Sequence, residues 1–285
     1  MHKRNSEKWQ SKLSRMLNSS VSFSIAYLIM MTGFHLTMAL MGKVFGFYSS
    51  TYYYGAKFIV NHNYWTKLSV FFVYTSGTLF VTLFGIICGV LFFKLKERNY
   101  VFNLIFLWGM VISSSVIAAQ GLIINLGAEQ YISPFYQNLT VVLAWLHIPL
   151  VFYYAIAGVL FFFGAFCAVY VCKPFLTLSY SYSKVNKLQR KQKYFFETAI
   201  VPYVVASIGL LSFTFPLNMW INIMYVFFIG ISLLLGFFAL PFFEVKTDEI
   251  LRYKTLQEAS IVIFIVLMVL LGLLTLTWRG IYLGG

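Results

Sequence analysis

Three histidines are the residues of this chain with the widest chemical reach. His35 falls in the outer half of the first long apolar segment and His147 near the outer end of the fourth. His62 lies in the connection after the first segment. Two imidazoles from different helices can ligate haem iron, and several can hold a metal. Gln120, Asn125 and Glu129, from the third segment and its exit, share that level. Together these positions predict a polar pocket open to the outer side, with His35, His147, Gln120, Asn125 and Glu129 as its binding residues. The competing reading makes each histidine an interfacial or interhelical hydrogen-bonding residue. Only one bis-histidine pair can be built, His35 with His147, so no cofactor and no metal ligand is assigned.

Other catalytic chemistry finds less to work with. The segment Met31-Thr32-Gly33-Phe34-His35 has neither the glutamate nor the second histidine of a His-Glu-x-x-His zinc helix. That run, with the Ser76-Gly77 pair in the next segment, loosely resembles the intramembrane metalloproteases over about the first three spans. The resemblance implies a related fold there and no active protease. Ser113, Ser114 and Ser115 form a run in the third segment, but small polar residues inside a membrane more often bond across helices than react. There is no Gly-x-Ser-x-Gly, no glycine-rich phosphate loop and no lysine in the last apolar segment. All eight acids lie outside the centres of the spans, and only Glu129 falls on the outer side. A carboxylate relay of the kind ion-coupled carriers use is therefore not expected. Cys88, Cys167 and Cys172 read as buried free thiols.

The elements that must position these residues are membrane helices. Hydrophobic residues make up 60% of the 285 positions and charged residues 10%, against about 25% charged in a soluble domain. A span needs roughly 20 apolar residues. Runs of that kind predict spans at about 21–45, 67–93, 101–126, 141–172, 195–215, 219–242 and 256–278. Pro149 lies inside the fourth, predicting a kinked helix or a short lead-in followed by a span. The expected fold is all-α and polytopic, with seven transmembrane helices in one membrane domain, 21–285. Residues 1–20 read as a basic amphipathic tail, with Trp9, Leu13 and Met16 at helical spacing.

Charge sets the expected orientation. With seven spans, seventeen lysines and arginines fall on the side of the N-terminus and four, Lys43, Lys57, Lys67 and Arg279, on the other. The positive-inside rule then puts the N-terminus inside and the C-terminus outside. Trp65, Trp145, Trp220 and Trp278 fall near outer span ends, where amphipathic rings prefer the head-group level. The net charge of +13 reads as topology and attraction to anionic lipid rather than as nucleic-acid binding.

Two further features concern association. Gly77, Gly85 and Gly89 fall close to one face of the second span and predict a helix-packing surface, internal or towards a partner subunit. Lys184, Lys187, Arg190, Lys191 and Lys193 cluster on the fourth inner connection. They read as a topology signal or as a docking surface for a cytoplasmic protein. The acids Glu244, Asp248, Glu249 and Glu258 on the sixth could pair with that connection. Pro134, Phe135, Pro216 and Trp220 are candidates for an outer partner surface.

The function expected is a non-catalytic integral membrane subunit or scaffold of a larger membrane or envelope complex. Its partners would be membrane lipids and other membrane or envelope subunits. The first alternative is a transporter or lipid-handling protein with a neutral pathway. The second is a haem or metal protein using His35 and His147. The bias towards Phe, Tyr, Ile, Asn and Lys suggests an AT-rich genome, and the short loops suggest a bacterial cytoplasmic (inner) membrane.

Overall fold

The computed structural model describes residues 2–52, 55–95, 100–127, 138–179, 181–214, 219–250, 261–276 and 281–283. The fold is mostly helical. Helix α1 runs unbroken over His2–Val44, so the basic tail and the first span share one rod. It is followed by α2 (Lys67–Leu95), α3 (Tyr100–Gly127), α4 (Leu139–Trp145) and α5 (Leu150–Val171). Then come α6 (Lys173–Thr177), α7 (Leu188–Phe195), α8 (Val201–Thr214), α9 (Met219–Ala239) and α10 (Ile261–Leu276).

Among the described residues, six stretches are long and apolar enough to cross a bilayer: Lys12–Val44, Lys67–Leu95, Tyr100–Leu126, Leu150–Thr177, Leu188–Leu211 and Asn222–Phe242. Helices satisfy every backbone group within the segment, which a lipid interior demands. Helix α3 is the axis of the bundle and packs against α1, α2, α5 and α9. In its most apolar stretch 67% of residues are buried, against 17% for α2 and 22% for the stretch containing α5. Phe162, Phe163 and Phe166 on α5 and Leu83, Ile86 and Ile87 on α2 are exposed accordingly, as lipid-facing positions are. The core fills around Trp108, Phe23, Phe34, Phe175 and Phe195. Phe23 meets Trp108 edge-on at 4.9 Å, and so does Phe175. Helix α10 lies against α1, where Leu267 and Leu270 pack on Val21 and Ile25.

The fourth predicted span is interrupted. Helix α4 stops at Trp145, Pro149 caps α5 with φ −58°, and the membrane stretch starts at Leu150. Proline supplies no N–H and presets φ, so it opens a helix more readily than it continues one.

The all-α expectation differs from the structure in one place. Strands β1 (Tyr48–Tyr52) and β2 (Gly55–Ile59) form an antiparallel hairpin, and β3 (Ile281–Leu283) pairs with the other edge of β1. The register puts Ser50 opposite both Lys57 and Tyr282. Ser49 and Thr51 point inward and are buried. Beside the sheet, the Trp65 ring lies tilted against Phe47 at 4.5 Å and edge-on to Phe58 at 5.5 Å between centroids. This aromatic belt marks the sheet end of the bundle. The opposite, basic end carries the start of the α1 span, α6 and α7.

Candidate functional site

The residues of the expected outer pocket have unlike surroundings. His35 is half-buried in α1, edge-on to Phe34 at 5.1 Å, and its Nε2 meets no hydrogen-bond partner. Gln120 is buried and its Oε1 accepts from Thr78 Oγ1 at 2.8 Å. Asn125 is exposed near the end of α3, and so is His147 beyond α4. Glu129 lies outside the described residues. Two positions are thus interior and two exposed, and among the described residues no three His, Cys, Asp or Glu side chains converge on a metal-sized space.

His147 has a backbone role. Its φ is +53°, in the left-handed region, and its N–H donates to Ala144 O at 3.0 Å while Ile148 N–H reaches back to Leu143 O at 3.1 Å. That pair of bonds is a Schellman termination, which usually places glycine where His147 sits. Helix α1 ends the same way on Gly46, with φ +77°, Gly46 N–H on Lys43 O at 2.9 Å and Phe47 N–H on Gly42 O at 2.9 Å.

The glycines of the predicted packing surface face neighbours inside the bundle. A Cβ on Gly77 would meet the Phe34 ring at 2.7 Å, one on Gly85 would meet Ser113 Cβ at 2.8 Å, and one on Gly89 would meet Met110 Sδ at 3.3 Å. Two tighter approaches were not anticipated from spacing. A Cβ on Gly121 would lie 2.5 Å from Ala157 O, and one on Gly164 would lie 2.5 Å from Ala118 N. Here α3 and α5 touch backbone to backbone. Neither glycine has another glycine four residues away in its helix, so no GxxxG pair signalled it.

Several interior polar groups bond across helices. Ser115 Oγ donates to Ser232 Oγ at 2.9 Å, joining α3 to α9. Asn138 Nδ2 donates to the Tyr225 hydroxyl at 3.4 Å, and the Tyr27 hydroxyl to Asn222 Oδ1 at 3.5 Å.

The densest polar constellation is at the basic end. Helix α7 starts at extended Lys187 and buries Tyr194 and Phe195. The chain then widens into a π-helical turn over Phe196–Ile200 before α8; such turns recur at functional sites. Pro202 follows, and a helical proline cannot donate to the carbonyl four residues back, here Thr198. That carbonyl accepts the Ser19 hydroxyl at 2.6 Å, and Ser19 Oγ in turn accepts Trp108 Nε1–H at 3.0 Å. In the same turn Glu197 pairs with Lys12 Nζ at 3.0 Å and Arg15 Nη2 at 3.7 Å. Arg15 also lies 6.0 Å over the Tyr194 ring. Lys12, Arg15 and Ser19 of α1, Trp108 of α3 and the π turn therefore form one joint.

Four of the five predicted docking residues, Lys184, Lys187, Arg190 and Lys193, are exposed. Lys191 is half-buried, and its ammonium donates to Phe243 O at 2.6 Å. Arg190 Nη1 donates to Ser183 O at 2.8 Å, bracing the loop before α7. Glu249 of the expected acidic cluster pairs with Lys173 at 3.6 Å. Pro134, Phe135, Pro216 and Glu258 lie outside the described residues, as do the side chains of Trp220, Asp248 and His62. Glu197 was not foreseen as an organiser; the signal was an acid at the mouth of an apolar run, five residues before Pro202.

No family model, no curated protein and no solved structure matches this chain.

Proposed function

We propose that the chain is a non-catalytic integral membrane subunit or scaffold, with seven spans, its N-terminus in the cytoplasm of a bacterial cell and its C-terminus outside. The observation that carries the reading is the braced display of basic residues at one end. Helix α7 is fastened by Lys191 to Phe243 O and by Arg190 to Ser183 O, and it buries Tyr194 and Phe195. It thereby holds Lys187 and Lys193 outward on a fixed frame. Held cations complement an acidic partner surface and steer its approach.

The β1–β3 pairing supports the odd number of spans. Residues 48–52 and 281–283 lie in one sheet, so the chain between them must cross the bilayer an even number of times. Five of the six long apolar stretches fall in that interval, and α10 as a further crossing makes the number even. The excess of lysine and arginine at the other end supports the cytoplasmic assignment.

Site-specific photo-crosslinking tests the docking role. A benzoylphenylalanine at position 187 should give one discrete adduct in intact membranes, and one at lipid-facing position 162 should give none. Equal or absent adducts at both positions would refute it.

One observation favours a second reading, a transporter or lipid-handling protein with a neutral pathway. Thr78, Gln120, Asn138 and Tyr225 bring uncharged polar side chains into the interior from α2, α3, α9 and the start of α4. A reconstituted chain whose solute flux falls on Gln120→Leu would support it, and unchanged flux would remove it.

A further inference from the structure

Beside the Glu197 joint a recessed cavity of ≈ 280 Å³ opens at the basic end. Its lining is Arg15, Ser183, Lys184, Arg190, Lys193, Tyr194 and Glu197. We propose that this cavity binds a phosphate group.

Four cations and one carboxylate share the wall, and that carboxylate is also paired with Lys12, which stands outside the lining. Like charges gathered around one space repel unless an anion enters it. Arg15 is only 7% exposed, where desolvation strengthens its attraction for an anion. Arginine presents a planar fork that matches phosphate oxygens, and lysine adds a point charge. Ser183 and Tyr194 complete the lining. A recess of this size takes a compact anion and not the face of a protein. Its depth also fits, because Arg15 stands at the start of the first apolar stretch, Lys12–Val44. Lipid phosphates lie at that level, and basic pockets between helices there receive anionic head groups. The site shares Lys193 with the docking display, whereas Lys187 lies outside its lining, so a change at Lys187 tests the docking role alone.

The test uses the full-length chain, delipidated in mild detergent, with two probes. One is inorganic phosphate. The other is nanodiscs of phosphatidylcholine with and without phosphatidylglycerol. Thermal unfolding reports binding for the unaltered chain, for Arg190→Gln/Lys193→Gln, for Lys193→Gln alone and for Lys187→Gln. Losing a charge-assisted hydrogen bond weakens binding about tenfold or more. The double variant should therefore shift the half-saturating concentration at least about tenfold, Lys193→Gln alone should shift it less, and Lys187→Gln should leave it unchanged. Stabilisation by phosphatidylglycerol alone identifies a lipid head group as the source. Stabilisation by inorganic phosphate as well identifies a soluble phosphate. No stabilisation by either probe, or an equal loss in Lys187→Gln and the double variant, overturns the site.

Discussion

The Ser19 hydroxyl donates to the Thr198 carbonyl at 2.6 Å, tying α1 to the π-helical turn before α8. Pro202 is what opens that carbonyl, because it has no N–H to return to it. Ser19→Ala removes this donor and also the acceptor of Trp108 Nε1. A buried polar group left unsatisfied costs about 1–3 kcal/mol, so thermal unfolding in detergent should show a clear loss. With Pro202→Ala in the background the helix can supply its own N–H, and Ser19→Ala should then cost less. Equal losses in both backgrounds would break the link.

Glu197→Gln should destabilise more than Lys12→Met. Arg15 and Glu197 form an ion pair and both are nearly buried, and removing one partner of a buried pair costs about 3–5 kcal/mol. The Lys12 side chain is 33% exposed, and pairs of that kind contribute about 0–1 kcal/mol. Unfolding temperatures of the two variants give the ranking, and the reverse order would contradict the joint.

Gly121→Ala and Gly164→Ala should each destabilise by about 1–3 kcal/mol, the range for overpacking. The new methyl would meet backbone atoms at 2.5 Å, which cannot step aside as a side chain can. Gly158→Ala, where a Cβ meets nothing within 4 Å, should be neutral or stabilising by roughly 0.5–1 kcal/mol. Denaturation midpoints of the three variants separate the cases.

His147→Gly should stabilise by about 1 kcal/mol, because a left-handed residue other than glycine is strained by roughly that amount. A ligand role for His147 predicts instead a lost absorbance band or lost metal. Unfolding and the visible spectrum of the same preparation decide between them.

How far the sequence foretold this fold follows from what apolar length can and cannot encode. The long stretches at 67–95 and 100–126 were legible within about two residues, since the bilayer sets their length. The break at Pro149 was legible as one of two alternatives. The sheet was not, because Ser49–Thr51 pairs with Ile281–Leu283 from the far end of the chain and neither segment is strongly patterned alone. The outer-pocket residues were matched by depth alone, and depth says nothing about the direction a side chain takes around its helix: His35 and Gln120 turn to the interior, whereas Asn125 and His147 are exposed. Glu197 was read as an acid at an inner span end, but the widened turn that aims it at Lys12 and Arg15 has no sequence period of its own.

Ser50→Cys with Tyr282→Cys should form a disulfide on oxidation, since opposed residues of an antiparallel pair lie about 4.5–5.5 Å apart at Cα. A membrane-impermeant thiol reagent added to intact cells should block it, as an outward sheet end requires. Blocking only after lysis would invert the orientation.

The subunit reading is tested most directly by native mass spectrometry of the chain extracted from its own membrane in mild detergent. The account predicts a particle heavier than 32.8 kDa that releases at least one other polypeptide on activation. Charge reversal at Lys187 should reduce that species and leave the lipid adducts in place. A particle of 32.8 kDa carrying lipid alone, unaffected by the Lys187 change, would contradict it.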